Sequence, residues 1–278
     1  MTQPPLSTSI RKLEEELGVV LFERLSTGLL LTPAGDAIVA HARRTLACVD
    51  ELTRAGREGA SGEQGVLRLG FVGSATYSLM PQIIRSYRRR YPAVDIVIDE
   101  STTVELLQQV DNHSIDVALI RVPVLVPTTA EVSLLQAEGM VVAVSSDSEF
   151  ADRESVSMAE LANVPVIAYS QARVPTMHAL VMLAFSEAGI QPHIAQHVVQ
   201  VQQCLGLVES GLGIAFIPES GKKYAWDGVR FLHIKPEPTV FRVGLALAFQ
   251  SGVPSPTTKN FIAVAREISG FPNNPSSY

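Results

Sequence analysis

Hydroxyl side chains follow two of the strands that the sequence predicts in its central part. Ser74 comes after a strand at residues 67–72, and Thr102 and Thr103 come after a strand at residues 95–99, each time directly before a helix. Ligands of open α/β sheets bind at the carboxyl ends of strands, where helix N-termini offer free N–H groups to an anion. The three hydroxyls therefore predict an anion site, and capping of the following helix is the alternative for the two threonines.

Further side chains are expected to complete this site. Arg121 closes the third strand, and its guanidinium fork suits a carboxylate ligand; a salt bridge within the protein is the alternative. Pro175, Thr176 and Met177 begin one later helix, and Gln202 opens another. We predict that these four residues form the opposite wall of the site.

No motif in the sequence indicates catalysis. There is no G-x-S-x-G elbow and no phosphate-binding loop, and the six histidines show no metal-binding helix motif. Gly211 and Gly213 follow a helix and precede a strand, which is the reverse of the order in a dinucleotide fingerprint. We therefore predict that the protein is not an enzyme and that it carries no metal or cofactor.

The charge balance leaves binding to nucleic acid open. The net charge of −6 argues against a protein that holds nucleic acid on a broad basic surface. The first 57 residues, however, contain seven basic and seven acidic side chains, so a small binding module could lie there.

Cysteine content and hydropathy indicate the compartment. The two cysteines, Cys48 and Cys204, lie far apart in the sequence, which argues against a disulfide framework. No apolar stretch resembles a signal core or reaches the length of a membrane span. We expect a cytoplasmic protein.

A helix and a hairpin are predicted at the start of the chain. Leu6, Ile10, Leu13 and Leu17 recur at steps of four, three and four, which predicts a helix with one apolar stripe that belongs to a core. The residues that follow, up to residue 31, predict a short two-stranded hairpin. A helix followed by such a hairpin is the outline of a winged module.

A long helix is predicted next. Thr32 and Pro33 provide an N-cap and a proline at the first helical position. Apolar residues with a spacing near 3.5 form a narrow seam along this helix, and glycines from Gly56 onward end it in a linker. We predict that the helix pairs with another copy through residues 33–55; packing on its own domain is the alternative.

The pattern changes at Val66, where apolar strands begin to alternate with amphipathic helices. This alternation is typical of βαβ units and predicts two successive sets of them. A last strand at residues 241–249 and a helix at residues 258–268 could return to the first set. The predicted class of this part is α/β, in two subdomains.

Several segments resemble the signature of LysR-type transcriptional regulators. They are residues 3–18, 21–24, 31–35, 70–74, 115–118 and 205–213. The resemblance extends to about residue 271. It implies an α+β winged helix-turn-helix remnant and a dimerising linker helix, followed by an α/β two-lobed effector domain that is similar to a periplasmic binding protein.

The resemblance also implies the domain boundaries. They are residues 1–32 for the partial winged helix-turn-helix, 33–60 for the linker helix, 65–271 for the effector domain and 272–278 for a tail. Lobe I is expected at about 65–135 and 235–271, and lobe II at about 136–234. Family members carry two helices before the recognition helix, whereas Met1 lies almost at its start. We expect Met1 to be an internal methionine, or the start of a product with impaired DNA binding.

The resemblance assigns DNA contacts to the helix from about Pro4 to Leu17. Such a recognition helix places its N-terminal residues in the major groove. The candidate contacts are Gln3, Pro4, Ser7, Ser9, Arg11 and Lys12. Gln3 and Arg11 suit base edges, whereas Ser7, Ser9 and Lys12 suit phosphates.

The effector half most resembles the subgroup that senses aromatic acids and their ring-cleavage products. In that subgroup, side chains that match Ser74, Thr103 and Arg121 meet the effector carboxylates, together with a Pro-x-aromatic turn that matches residues 175–177. Here Met177 replaces the aromatic residue. The resemblance implies a regulator that binds operator DNA and a small carboxylate as a homodimer or homotetramer. The alternative is a truncated regulator without DNA binding, which acts as a ligand-binding or mixed-dimer partner.

Overall fold

The computed structural model of the chain describes residues 3–25, 28–58, 61–223 and 227–270. Its N-terminal elements are the helix α1 (Gln3–Leu17), the antiparallel strands β1 (Phe22–Leu25) and β2 (Gly28–Leu31), and the helix α2 (Pro33–Glu58). The predicted turn at residues 26–27 and the predicted tail lie outside the described residues. No helix within the described ranges is long and apolar enough to cross a membrane.

The junction between the hairpin and α2 confirms the predicted N-cap. The Thr32 hydroxyl accepts a hydrogen bond from the Gly35 N–H at 3.0 Å and donates one to the Val20 carbonyl at 2.7 Å. At the same end of the hairpin, just before β1, the Glu14 carboxylate of α1 accepts from the Leu21 N–H at 2.7 Å. These bonds fix the hairpin between the two helices.

The apolar stripe of α1 does not form a core with the other described residues. Leu6, Leu13 and Leu17 are 42–49% exposed, which differs from the expectation that the stripe is buried. The seam of α2 is also open, because Leu46 and Val49 are exposed. Both helices therefore present apolar surface that the described part of the chain does not cover.

Strands and helices alternate after α2. In chain order they are β3 (Gln64–Phe71), α3 (Met80–Arg90), β4 (Ala93–Glu100), α4 (Thr103–Asp111), β5 (Val117–Val122), β6 (Ala130–Glu138), β7 (Met140–Ser145), β8 (Ser155–Val156), β9 (Val166–Tyr169), α5 (Pro175–Glu187), β10 (Ile194–Val198), α6 (Val201–Glu209), β11 (Ala215–Pro218), β12 (Val229–Ile234), β13 (Val243–Gln250) and α7 (Pro256–Ser269). Short 3-10 turns lie at Gly73–Tyr77, Ala159–Leu161 and Glu219–Lys223.

Lobe I is built on a five-stranded sheet with the order β4-β3-β5-β13-β6. The first three strands are parallel, as βαβ crossovers through α3 and α4 require, whereas β13 is antiparallel to both of its neighbours. The buried faces of α3, α4 and α7 share one apolar core with the central strands. The predicted return of the last strand and helix to the first set is thus what the structure shows.

Lobe II contains a four-stranded sheet with the order β11-β7-β12-β8 and the parallel pair β10-β9. Its separate core includes the buried faces of α5 and α6. Among the described residues, three strands have no counterpart in the sequence prediction: β6, β8 and β12. Because β6 pairs with β13 up to Glu138, the chain leaves lobe I at Gly139, slightly later than the approximate boundary at residue 135. It returns between β12 and β13.

Candidate functional site

A cavity of about 50 Å³ lies between the two lobes. The carboxyl ends of the parallel strands and the first turns of several helices meet there, as expected for an open α/β sheet. The structure brings together seven of the eight predicted effector residues at this cavity: Ser74, Thr102, Thr103, Arg121, Pro175, Thr176 and Met177.

The eighth residue, Gln202, does not line the cavity. It is exposed on α6, and Gln200 lines the cavity instead. The reason is the register of the helix start: Gln200 is the N-cap in extended backbone, whereas Gln202 is already in the first turn. Gln200 also lies very close to Gly73 of lobe I, because a Cβ at Gly73 would be 2.8 Å from Gln200 Oε1.

The guanidinium of Arg121 is held by partners within the protein. Its Nε donates to Ser74 Oγ at 2.9 Å, its Nη2 donates to Ser220 Oγ at 3.2 Å, and its Nη1 pairs with the Glu138 carboxylate. The side chains of Arg121 and Glu138 are only 6% and 5% exposed. A salt bridge within the protein, the alternative to a free carboxylate-binding fork, is therefore what the structure shows for Arg121.

The Glu138 carboxylate also links the two lobes. Glu138 ends β6 at the crossing between them, and it accepts hydrogen bonds from the N–H of Ser220 at 2.6 Å and from the hydroxyl of Ser220 at 3.1 Å. Ser220 belongs to the 3-10 turn after β11 of lobe II. We call Arg121 and Glu138 the inner pair, and together with Ser220 they form the inner network. This network lies at the buried end of the cleft.

Three helix N-termini point their first turns at the cavity. Lining residues come from Thr103 and Val104 of α4, from Pro175 to Met177 of α5, and from Val201 of α6. No side chain caps α5, whose N-cap residue is Val174. The first-turn N–H groups of a helix have no partner inside it, so each terminus contributes positive potential to the cavity. Capping boxes already occupy some of these groups at α4 and α6, whereas those of α5 are uncapped.

Of the three predicted hydroxyls, one caps a helix and two can still donate a hydrogen bond to a ligand. Thr102 caps α4, because its side chain accepts from the Glu105 N–H in a capping box, so the capping alternative holds for this residue. Ser74 Oγ accepts from Arg121 Nε, and Thr103 Oγ1 accepts from the Arg121 N–H at 3.2 Å. A hydroxyl that accepts one bond still has a hydrogen to donate to a ligand.

A second ion pair spans the outer end of the cleft. Arg173 of lobe II donates to the Glu105 carboxylate of α4 at 3.1 Å, and their side chains are 55% and 41% exposed. The pKa of Glu105 is lowered to about 2, mainly by the hydrogen bond from the Ser101 hydroxyl and then by that from the Thr102 N–H. We call Arg173 and Glu105 the outer pair. The sequence analysis identified neither residue, although the T-x-x-E spacing of a capping box marks Glu105.

The candidate DNA contacts lie on α1. Ser7, Ser9, Arg11 and Lys12 are all exposed. Gln3 and Pro4 belong to the helix, but their side chains lie outside the described part of the chain. The four described side chains therefore lie on the solvent-facing surface of α1.

Two family models match the chain. The model for the "LysR substrate binding domain" matches residues 60–269, and the model for the "bacterial regulatory helix-turn-helix protein, lysR family" matches residues 1–36. Among curated proteins, the HTH-type transcriptional regulator AlsR of Bacillus subtilis is 32% identical over 265 residues, which cover 95% of this chain and 87% of AlsR.

Solved structures agree with these matches. Full-length CbnR in complex with its target DNA superposes with a TM-score of 0.64 at 26% identity and covers 97% of this chain, which in turn covers 91% of CbnR. The BenM effector-binding domain with its effector benzoate gives a TM-score of 0.63 at 25% identity, covering 74% of this chain and 92% of that domain. The curated relatives are transcriptional regulators rather than enzymes. The chain belongs to the LysR family of transcriptional regulators.

Proposed function

We propose that this LysR-type regulator responds to a small carboxylate that binds in the cavity between its lobes. The observation that carries the proposal is the meeting of three helix N-termini, those of α4, α5 and α6, at one enclosed cavity. Each helix N-terminus is equivalent to about half an elementary positive charge. An anion suits such a site better than a neutral or cationic ligand.

The polar side chains of the cavity indicate which groups would hold the ligand. Ser74 and Thr103 supply hydroxyl donors to the ligand, whereas the charge of Arg121 is already balanced by Glu138. In the proposed complex, the ligand carboxylate is held by helix N–H groups and hydroxyls, and Arg121 positions Ser74. Arg121 would contact the ligand directly only after Glu138 moved away.

The walls of the cavity favour an apolar ligand body. Val72 and Val104 of lobe I face Val174, Met177 and Val201 of lobe II across it. A carboxylate carried on an aromatic ring or on an unsaturated chain fits both the polar and the apolar lining. We therefore propose an aromatic acid or a ring-cleavage product, a class to which the benzoate bound to the BenM domain also belongs.

The closed cavity suggests how binding is transmitted. A volume of about 50 Å³ holds only a few water molecules, so a larger ligand requires the lobes to separate or rotate. We propose that this movement changes the arrangement of the DNA-binding segments within a homodimer or homotetramer that pairs through the exposed seam of α2. The protein would then act at the chromosome, and we expect it in the cytoplasm.

Calorimetry on the full chain tests the effector proposal. Benzoate and cis,cis-muconate serve as probes, and wild-type protein is compared with the variant Ser74→Ala. We expect at least one probe to bind and the variant to bind it about tenfold more weakly, because one hydrogen bond to a charged group is lost. Ser210→Ala is the matched control, since Ser210 is exposed at the opposite end of α6.

Two outcomes would contradict the effector proposal. Wild-type protein that binds neither these probes nor other small carboxylates has a different kind of effector. Equal binding by Ser74→Ala and by wild type places the ligand elsewhere, provided that Ser210→Ala also behaves as wild type.

We further propose that α1 binds operator DNA, with Arg11 at base edges and Lys12 at phosphates. Both side chains are exposed, and the CbnR complex shows DNA binding by a relative of the same fold. Lys12→Ala should weaken binding to all sequences and lower the salt dependence by about one counterion, whereas Arg11→Ala should reduce discrimination between sequences. Lys259→Ala, an exposed substitution on α7, is the control.

A regulator without DNA binding is the alternative function. The exposed stripe of α1 favours it, because a helix with an uncovered apolar face is marginal in water. In that case the chain would bind the effector or form mixed dimers with complete regulators. Titration of the chain with promoter fragments at several salt concentrations separates the two, since only the first predicts salt-dependent affinity.

A further inference from the structure

Tyr169 has a hydroxyl without a hydrogen-bond partner at the wall of the cavity. The residue ends β9, lines the cavity and is 3% exposed. Its Oη is buried and forms no hydrogen bond with any described residue. The main chain of Tyr169 is held in place, because its carbonyl accepts from His178 Nδ1 at 2.9 Å.

The neighbours of this hydroxyl cannot accept its hydrogen well. The Cys204 thiol interacts with the Tyr169 hydroxyl electrostatically and as a hydrogen-bonding neighbour, and the Arg121 guanidinium acts on it electrostatically. A thiol is a weak acceptor and a guanidinium accepts nothing. Burial raises the pKa of Cys204 to about 12, so it does not become a thiolate, which would be a better acceptor.

The hydroxyl therefore keeps an unused hydrogen at neutral pH. Burial also raises the pKa of Tyr169 well above its ordinary value, so the group stays protonated. A buried donor without a partner is unfavourable and rare in folded proteins. Tyr169 and Arg121 both line the cavity, so a ligand oxygen that came within reach of this hydroxyl would be a better acceptor than the Cys204 thiol.

We propose that Tyr169 determines effector specificity by donating a hydrogen bond to a second oxygen of the ligand, separate from the carboxylate held by the helix N-termini. This inference rests on the proposed function. The ligand class becomes narrower: a carboxylate with a further acceptor, such as a dicarboxylate or an oxo acid. Tyr169 lies on lobe II, whereas Ser74 and Thr103 lie on lobe I, so a ligand with two acceptor groups would join the lobes.

A pair of probes with the same skeleton tests the role of Tyr169. Sorbate and trans,trans-muconate share a six-carbon diene chain but carry one and two carboxylates. In calorimetry with the full chain, wild type should prefer the dicarboxylate. Tyr169→Phe should weaken muconate binding about tenfold and leave sorbate binding unchanged within about twofold, because only muconate offers the second acceptor.

Stability of the free protein supplies an independent readout. Tyr169→Phe removes a donor that has no partner, so we expect an unchanged or higher melting temperature. Tyr87→Phe is the matched control, because the buried Tyr87 hydroxyl donates to the Thr257 carbonyl at 3.0 Å, away from the cavity. That variant should melt earlier and keep the wild-type ratio of probe affinities.

Each remaining outcome decides between the two proposals. If Tyr169→Phe weakens both probes equally, or neither, the specificity inference is wrong while the carboxylate site stands. If wild type binds neither these probes nor benzoate, the effector proposal fails and this inference fails with it.

Discussion

The inner ion pair lies within lobe I and reaches lobe II only through Ser220, whereas the outer pair joins the two lobes directly. Water also reaches the two pairs very differently. Arg121 and Glu138 are almost completely buried, whereas Arg173 and Glu105 are about half exposed. Two charges in a dry interior are costly to desolvate, and removal of one leaves the other uncompensated. An exposed pair gains little because solvent screens it. The inner pair should therefore control the stability of the fold at the hinge, and the outer pair should control only how easily the cleft opens.

Removal of one inner partner should have the largest effect. Glu138→Ala leaves the Arg121 charge buried and removes the acceptor for the Ser220 N–H. We expect a loss of about 3 to 5 kcal/mol in the free energy of unfolding. Urea unfolding followed by circular dichroism measures it.

The double variant Arg121→Met with Glu138→Leu sharpens this test. It removes both charges at similar volume, so most of the loss should be recovered. A Glu138→Ala variant that loses less than about 1 kcal/mol would mean that water reaches the inner pair, and the contrast between the two ends of the cleft would disappear.

The inner pair also shows what the sequence could not predict. Ser74 and Thr103 were found because a strand followed by a helix is a local pattern. Glu138 was missed because the strand that carries it, β6, has no regular alternation, and its bonds to Arg121 and Ser220 join residues 17 and 82 positions away. The pairing with Arg121 depends on the order of strands in the lobe I sheet, and the pairing with Ser220 depends on how the two lobes meet. No local spacing encodes either of them.

Errors of one residue in the predicted ends of helices and strands changed which residues were assigned to the site. α6 begins at Val201, so the N-cap Gln200 lines the cavity and Gln202 does not. The apolar pattern predicts a strand at residues 164–168, whereas β9 spans Val166–Tyr169. The prediction therefore ends one residue before Tyr169 and does not include this lining residue. By contrast, the amphipathic helices of both lobes were predictable, because their apolar faces are buried in a core of the same lobe.

Acid should weaken the outer pair. We expect an effect on stability that lies between those of the Glu138 and Arg173 substitutions. The pKa of Glu105 is lowered to about 2 by the Ser101 hydroxyl and the Thr102 N–H, so the folded state holds this group deprotonated. The ionised Glu105 side chain therefore stabilises the folded state fully above the ordinary carboxyl pKa. This stabilisation is lost as the pH falls towards about 2. The unfolding midpoint of Glu105→Gln should lie below that of wild type at neutral pH and approach it in acid.

Glu160 provides the matched control for this pH dependence. Its pKa is also lowered to about 2, first by the Ser157 N–H, and it pairs with Arg153 at 2.6 Å, but both residues belong to lobe II. Glu160→Gln should show the same convergence with wild type in acid. Only Glu105→Gln should also change the dissociation rate of a carboxylate probe. A change in that rate for both variants would show that the effect is not specific to the cleft.

Loss of the outer arginine should have the smallest effect on stability and the clearest effect on kinetics. Arg173→Gln removes an exposed partner, so the free energy of unfolding should fall by less than about 1 kcal/mol. Because Arg173 belongs to lobe II and Glu105 to lobe I, the same change should speed probe release in stopped-flow measurements. High salt should produce a similar acceleration in wild type and little further change in the variant, since salt screens an exposed pair. A variant that releases the probe at the wild-type rate at low salt would show that the outer pair is incidental, and the inner network would then be the main polar contact between the lobes that resists opening.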